Sequence, residues 1–314
     1  MAYTYLFGPV PSRRLGMSLG VDLVPRKVCT LDCVYCEVGS TTTLTSERKE
    51  YIPAAKIIEE LTDFFTANTT AIDHITISGS GEPTLNSALG DVVRYIKRTI
   101  PDIPLAVLTN GTLLYDPNVR DALLPADVVL PSLDAATAAV FDQINCHHRS
   151  ITVDQCIDGL AAFRKEYRGK IWLEIFILPG YNDTAAELQA IQQAILQIQP
   201  DSVQLNTLDR PGTVAGLRGA THKELMWIVE LLDLDNVEII AAAGEAGNGP
   251  SCRQDPESVL IEMISRRPCT LDDLVTTLGM SSAAVQKIVD ALAAEDTIES
   301  VPQKRGLFYQ LKNK

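Results

Sequence analysis

Positive charge is scarce in this chain. Its 314 residues hold 27 Lys and Arg against 40 Asp and Glu, a net charge of −13, which argues against a general electrostatic grip on nucleic acid and leaves room only for a local basic patch. No apolar run reaches membrane-spanning length. The opening Met-Ala-Tyr-Thr-Tyr-Leu-Phe has neither a basic stretch nor a long apolar one, so no signal peptide is expected. An even set of spaced cysteines is also missing. The seven present are an odd number, and three crowd one loop. That pattern suits a metal site in a reducing, cytoplasmic setting better than a disulfide framework. With 46% hydrophobic and 21% charged residues, the composition is that of a globular protein with length for one large domain and a small one.

The crowded loop reads Cys29-Thr-Leu-Asp-Cys33-Val-Tyr-Cys36, a C-x3-C-x2-C spacing. Three thiolates on one short loop can hold three irons of a cubic [4Fe–4S] cluster and leave the fourth open, and open positions are where metals do chemistry rather than hold structure. A structural zinc site would need a fourth ligand, and this is not a usual zinc-ribbon spacing. Some forty residues later, Ser78-Gly-Ser-Gly-Glu-Pro-Thr-Leu85 offers a glycine turn ending in a carboxylate, which a small zwitterionic ligand of that iron would need.

From about residue 17 to residue 240, strand-like and helix-like segments alternate. Strands are expected at Met17–Val24, Asp73–Ile77, Leu105–Leu108, Val128–Leu133, Ile171–Leu178 and Val203–Leu208, with a seventh at Val237–Ile240. Helices are expected at Ala54–Asn68, Ser87–Arg98, Ala185–Ile198 and His222–Leu232; in the first, Ile57, Ile58, Leu61, Phe64 and Phe65 recur at helical spacing. Such alternation predicts an α/β fold with a parallel sheet and right-handed crossovers. The candidate polar residues follow strands, and strand ends converge on one mouth only if the sheet curves, so a partial (β/α)6 barrel over 1–243 is expected. Ala243–Pro250 is rich in glycine and small residues, placing a linker at 244–254. Residues 255–314 then read as three helices and a two-stranded hairpin, with a capping box at Thr270-x-x-Asp273 and a helix stop at Gly279. This resembles a winged helix-turn-helix.

The two motifs, in order and with Tyr35 before the last cysteine, resemble the radical S-adenosylmethionine (SAM) superfamily over roughly residues 15 to 240. The resemblance implies an enzyme in which Cys29, Cys33 and Cys36 ligate a [4Fe–4S] cluster whose fourth iron chelates SAM. Reductive cleavage of SAM would release a 5′-deoxyadenosyl radical. Tyr35, Gly79, Ser80, Gly81 and Glu82 would line the cofactor, with Glu82 accepting from the ammonium; Thr109, Asn110, Ser132 and Asp134 are candidates for its carboxylate and ribose. Taken singly, Asn110-Gly111 reads as a plain turn and Ser132 and Asp134 as helix caps. The resemblance also implies a low-potential electron donor such as flavodoxin or ferredoxin.

Gly8–Gly16 and Ser18–Asp22 resemble the subgroup containing the tRNA wyosine-base synthases. Those enzymes carry a second cluster on upstream cysteines, whereas no cysteine here precedes Cys29. A relative with another substrate is therefore expected, with a nucleoside in tRNA or other RNA as the leading substrate. A protein, peptide or small metabolite is the alternative, and a cluster-containing DNA-binding regulator is a third reading. Arg13 and Arg14 are expected beside the barrel mouth, as a substrate anion site or as a solvated pair. Cys146, His147, His148 and Cys156, like Cys252 and Cys269, lack the paired spacing of a second metal site. Asp209–Gly212 reads as a substrate-side loop or a plain turn. In the last module, Lys304, Arg305, Lys312 and Lys314 are the cations that could meet a phosphate backbone.

Overall fold

A computed structural model describes residues 3–68, 71–240, 256–303 and 305–312. The chain opens with an antiparallel hairpin, β1 (Leu6–Ser12) and β2 (Gly16–Val21). Two short parallel segments, β3 (Val28–Cys29) and β4 (Thr43–Leu44), bracket the cysteine loop. The following elements are α1 (Ala54–Ala67), β5 (His74–Ile77), α2 (Leu89–Thr99), β6 (Leu105–Thr109), α3 (Pro117–Leu123), β7 (Val128–Pro131), α4 (Ala138–Ile144), α5 (Val153–Glu166), β8 (Lys170–Ile177), α6 (Ala185–Ile198), β9 (Ser202–Thr207), α7 (His222–Leu232) and β10 (Val237–Ile239). One eight-stranded sheet runs β1-β2-β5-β6-β7-β8-β9-β10, parallel from β2 onward. The seventh parallel strand is thus present, and β1 adds an edge that the sequence reading does not contain.

Side-chain alternation gives the sheet two dissimilar faces. Leu19, Val21, Ile75, Ile77, Leu105, Val107, Ile171 and Leu173 join helix residues such as Ile57 and Leu61 in the main core. The opposite residues Ala106, Leu108, Val128, Leu130 and Trp172 pack with Leu15 in a smaller cluster. Alongside it lie the hydroxyls of Ser18 and Thr76, hydrogen-bonded to each other. Curvature is visible in Arg14, from the β1–β2 turn, whose guanidinium pairs with Glu174 on β8 and donates to Gln204 on β9 at 3.1 Å. That reach, from one edge hairpin to strands near the other, is possible only across a concave face. The expected partial barrel is the architecture, with β1 and β10 as its free edges.

Helices α3 and α4 are absent from the sequence expectation. Each is seven residues long, too short to display a helical period.

The C-terminal module comprises α8 (Pro256–Arg266), β11 (Cys269–Thr270), α9 (Leu271–Leu278), α10 (Ser282–Ala294), β12 (Ile298–Gln303) and β13 (Gly306–Leu311). The Thr270–Asp273 capping box forms, and Gly279 ends α9 with φ 63°. The sheet has three strands rather than two, because Cys269–Thr270 pairs with β13. Leu260, Leu274, Val285, Val289 and Ile298 give the module its own core. The expected linker at 244–254 lies outside the described residues.

Ion pairs seat the module on the C-terminal ends of the barrel strands. Arg266 of α8 pairs with Asp22 after β2 and lies 4.0 Å over the Phe7 ring. Arg210, after β9, bonds Asp273 at 2.8 Å and the Pro268 carbonyl at 2.5 Å, with Glu37 at 3.4 Å. Arg305 meets Asp209 at 3.0 Å and Asp273 at 2.6 Å. Asp209–Gly212 is therefore a docking strut. Arg13 and Arg14 do not lie at this mouth: the β1–β2 turn sits where β2 begins, at the opposite end of the barrel. No helix among the described residues is long and apolar enough to cross a membrane.

Candidate active site

The cysteine loop leaves β3 at Cys29 and folds over the C-terminal ends of the strands. Lys27, two residues upstream, adopts a left-handed conformation with φ 59°. Its amide donates to the Ser80 carbonyl at 2.7 Å, tying the cysteine loop to the glycine turn. From the far side, Thr213 donates its hydroxyl to the Val34 carbonyl at 2.8 Å. A Cβ on Gly212 would lie 3.0 Å from the Tyr35 Cα, so glycine lets this strut close down on the loop.

Each of the three sulfurs has one side-chain N–H donor. Lys27 Nζ lies 3.1 Å from Cys36 Sγ, Asn145 Nδ2 3.4 Å from Cys33 Sγ, and Asn110 Nδ2 3.6 Å from Cys29 Sγ. Burial pushes the Cys29 thiol up to about 12, with the Glu82 charge adding to it. Burial, then the charge of Asp134, carries Cys33 well above the ordinary thiol range. Both therefore hold their protons until a metal displaces them. Among the described residues, no three His, Cys, Asp or Glu side chains gather around one point as a single ion requires. Three cysteine sulfurs on one loop, each supplied with a donor, are a set that a cluster taking one sulfur per iron could use.

Glu82 is buried, and its carboxylate fastens two strand ends together. Oε1 accepts from the Thr84 amide at 3.0 Å, the Thr84 hydroxyl at 2.5 Å and the Thr109 hydroxyl at 2.7 Å, while Oε2 accepts from the Asn110 amide at 2.8 Å. Burial still outweighs these bonds, and its pKa stands above the ordinary carboxylate value. The glycines of the turn answer to protein atoms. A Cβ on Gly79, where φ is 137°, would meet Asp22 Oδ1 at 1.6 Å, and one on Gly81 would meet the Val28 carbonyl at 2.2 Å. Asp22 Oδ1 also accepts from the Ser80 amide at 2.9 Å.

Tyr35 stacks on Phe176 with ring centroids 3.9 Å apart and donates its hydroxyl to Asp134. Asp134 further accepts from Asn145 Nδ2 at 2.8 Å and the Phe176 amide at 3.0 Å. Burial lifts its pKa to about 6 against these bonds. Ser132 pairs in register with Glu174 and lines, with Tyr35, Asn110 and Asp134, a cavity of about 40 Å³.

All twelve residues singled out by sequence thus lie at the strand ends of one mouth. Lys27 and Asn145 carry no motif, and Asp22 appears in the sequence only as the end of the Ser18–Asp22 segment; their side-chain directions in the fold reveal their places at the site. Cys146 bonds the Gln143 carbonyl at 3.8 Å, Cys156 and Cys269 are buried, and none joins a metal-binding group. Cys252 lies outside the described residues.

Residues 23–189 match the sequence model of the radical SAM superfamily. The chain is 34% identical to a Brachyspira hyodysenteriae protein named GTPase Obg, over 91% of this chain but only 42% of that protein. It is 32% identical to a Helicobacter pylori protein named UPF0026, over 85% of this chain and 86% of the relative. These relatives do not bear the name of the wyosine-base synthases. A radical SAM methyltransferase from Sphaerobacter thermophilus shares the fold at 16% identity, with a TM-score of 0.55 over 71% of this chain and 65% of that one.

Proposed function

Because the chain belongs to the radical SAM superfamily, we propose that Cys29, Cys33 and Cys36 hold the [4Fe–4S] cluster of such an enzyme and that Gly79–Glu82 lies along the methionine part of SAM. The observation that carries this is the single N–H donor on each of the three sulfurs. A cluster held there would pass on one electron, received from a low-potential donor, for the cleavage of SAM to methionine and a 5′-deoxyadenosyl radical. The chain's own residues prepare that event. Lys27, Asn110 and Asn145 orient the thiolates and offset their charge. Glu82 Oε2 accepts from the Asn110 amide and keeps a second lone pair for an ammonium. Ser132 and Asp134 face the ribose side. Tyr35, clamped between Phe176 and Asp134, walls the site against water.

For the substrate, the charge geometry favours a small molecule over RNA. Arg210, Arg266 and Arg305 are spent on carboxylates between barrel and module, and Lys312 pairs with Asp296. Few described cations of the module remain for a phosphate backbone. The RNA-nucleoside reading rests on the likeness of Gly8–Gly16 and Ser18–Asp22 to wyosine-base synthases. Nucleoside mass spectrometry of RNA from deletion cells decides between them: a missing modified base restores the RNA reading, and an unchanged profile supports the small molecule.

The cluster assignment is tested by anaerobic reconstitution with iron and sulfide, followed by SAM and dithionite. Wild-type protein should form 5′-deoxyadenosine. Cys29→Ala, Cys33→Ala and Cys36→Ala should each lose both that product and most of the iron. Undiminished product from any of the three would refute the ligand set.

A further inference from the structure

A cavity of about 590 Å³ opens at the barrel end opposite the cysteine loop. Its walls include Arg13 and Arg14 from the β1–β2 turn, Lys170 and Trp172 from the start of β8, and Ser202 and Gln204 from the start of β9. The volume suits a ligand of nucleotide size or smaller. Four features point to an occupant carrying an oxyanion.

Among the described residues, Arg13 and Lys170 have no ion-pair partner, so two cationic side chains face this end of the barrel uncompensated. Of the carboxylates in the wall, Asp201 is committed to Arg164 at 2.8 Å and to the Ile171 amide at 2.7 Å, which leaves Glu238 on the far edge. Next, Ser202 is 7% exposed, yet its hydroxyl is buried without a hydrogen-bond partner. That oxygen is closed off from the cavity as it stands, and a turn about χ1 would bring it to a ligand there and give it the partner it lacks. Trp172 adds a large apolar surface beside these polar groups, the combination that fixes a ligand's body and its charged end separately. Finally, the module's ion pairs cover the C-terminal mouth, whereas this end lies away from the module. At the inner end of the cavity, Arg14 pairs with Glu174, and Glu174 stands in register with Ser132 among the strand-end residues.

We propose that this cavity is a binding site for a small molecule bearing a phosphate or carboxylate, the substrate of the enzyme proposed above. Arg13 and Lys170 hold the oxyanion, and Trp172 packs on the body of the molecule. The proposal rests on the enzyme reading above for the word substrate, but the binding itself does not depend on the cluster.

The test uses the full chain carrying Trp227→Phe, which leaves Trp172 as the sole tryptophan, since the protein has two, and excites it where tyrosine does not absorb. Its emission is followed while guanosine 5′-monophosphate, guanosine, inorganic phosphate or citrate is added. The monophosphate should give a saturable change that guanosine does not. A response to phosphate identifies a phosphate-bearing ligand, and one to citrate but not phosphate a carboxylate-bearing ligand. Arg13→Ala and Lys170→Ala should each weaken binding roughly tenfold, and Arg13→Lys should recover part of the loss. Both residues are exposed, so these variants keep the fold, and circular dichroism verifies it. No saturable response to any oxyanion, or a response indifferent to both substitutions, overturns the proposal. The enzyme reading fails separately, through absence of 5′-deoxyadenosine from reconstituted wild type.

Discussion

The ammonium of Lys27 lies 3.1 Å from the sulfur of Cys36, on a side chain only 5% exposed. A buried cation beside a thiolate ligand stabilises whichever state of a bound cluster carries more negative charge, and hydrogen bonds to ligand sulfurs act in the same direction. Lys27→Met should therefore lower the cluster's midpoint potential. A tenfold change in a one-electron equilibrium corresponds to about 59 mV, and a shift of that order is expected. An EPR-monitored redox titration measures it; an unchanged or raised potential would contradict the role given to Lys27.

Gly79→Ala should separate cofactor binding from cluster assembly. The new Cβ falls 1.6 Å from Asp22 Oδ1 at a φ of 137°, so the turn must move. None of the cysteines need move with it. SAM affinity in equilibrium dialysis should fall between about fivefold and about 150-fold, as strain on the order of 1–3 kcal/mol would give if expressed in binding, while iron content stays at the wild-type level. Loss of iron would mean that the turn and the cysteine loop move as one body.

Asp22 joins that same turn to the C-terminal module, accepting from the Ser80 amide with one oxygen and pairing with Arg266 through the other. Removing one partner of a buried pair costs roughly 3–5 kcal/mol. Arg266 keeps 22% exposure and Asp22 10%, so about 2 kcal/mol is a better expectation for Arg266→Ala. The variant should unfold at lower temperature and show a raised KM for SAM, because the turn loses a brace. A lower unfolding temperature without any change in the KM for SAM would show the module's docking to be independent of the turn.

The module's seat should also loosen in acid. Burial raises the Asp273 pKa, but the Arg210 and Arg305 guanidiniums and the Thr270 amide outweigh it, and the net effect is a carboxyl below its ordinary value of 3.8. A depressed folded pKa contributes stability that is full above the unfolded value and is lost as pH falls through the folded one. Stability measured by denaturant titration should thus decline below about pH 4 more steeply in wild type than in Asp273→Asn. Parallel declines would remove Asp273 from the acid response.

Several local features could be read in the residues because their causes are local. The apolar period of Ile57, Leu61 and Phe64 yields α1, the Thr270–Asp273 capping box forms as its spacing implies, and Gly79 has the backbone only glycine adopts freely. Strand positions from β5 to β9 follow from short β-branched runs between helices, within about two residues at the ends. The short helices α3 and α4 escape for the converse reason, having too few residues to show a period. So does β1, whose pairing with β2 passes through a bulge near Phe7 and Val10.

What the sequence alone determined was the chemistry: three thiols at cluster spacing, a glycine turn ending in a carboxylate, and the strand–helix alternation that carries them. Such facts are short-range, written in the order of neighbouring residues. The tertiary structure decided which groups stand beside those thiols and that turn. Lys27 faces Cys36, Asn145 faces Cys33, and Asp22 binds both Ser80 and Arg266 across 244 positions of chain. It also decided that Arg13 and Arg14 lie at the far end of the barrel. Which end a turn occupies depends on strand direction within the closed sheet, and whether a cation is free depends on what packs against it. Both are properties of residues remote in sequence, so no window along the chain contains them.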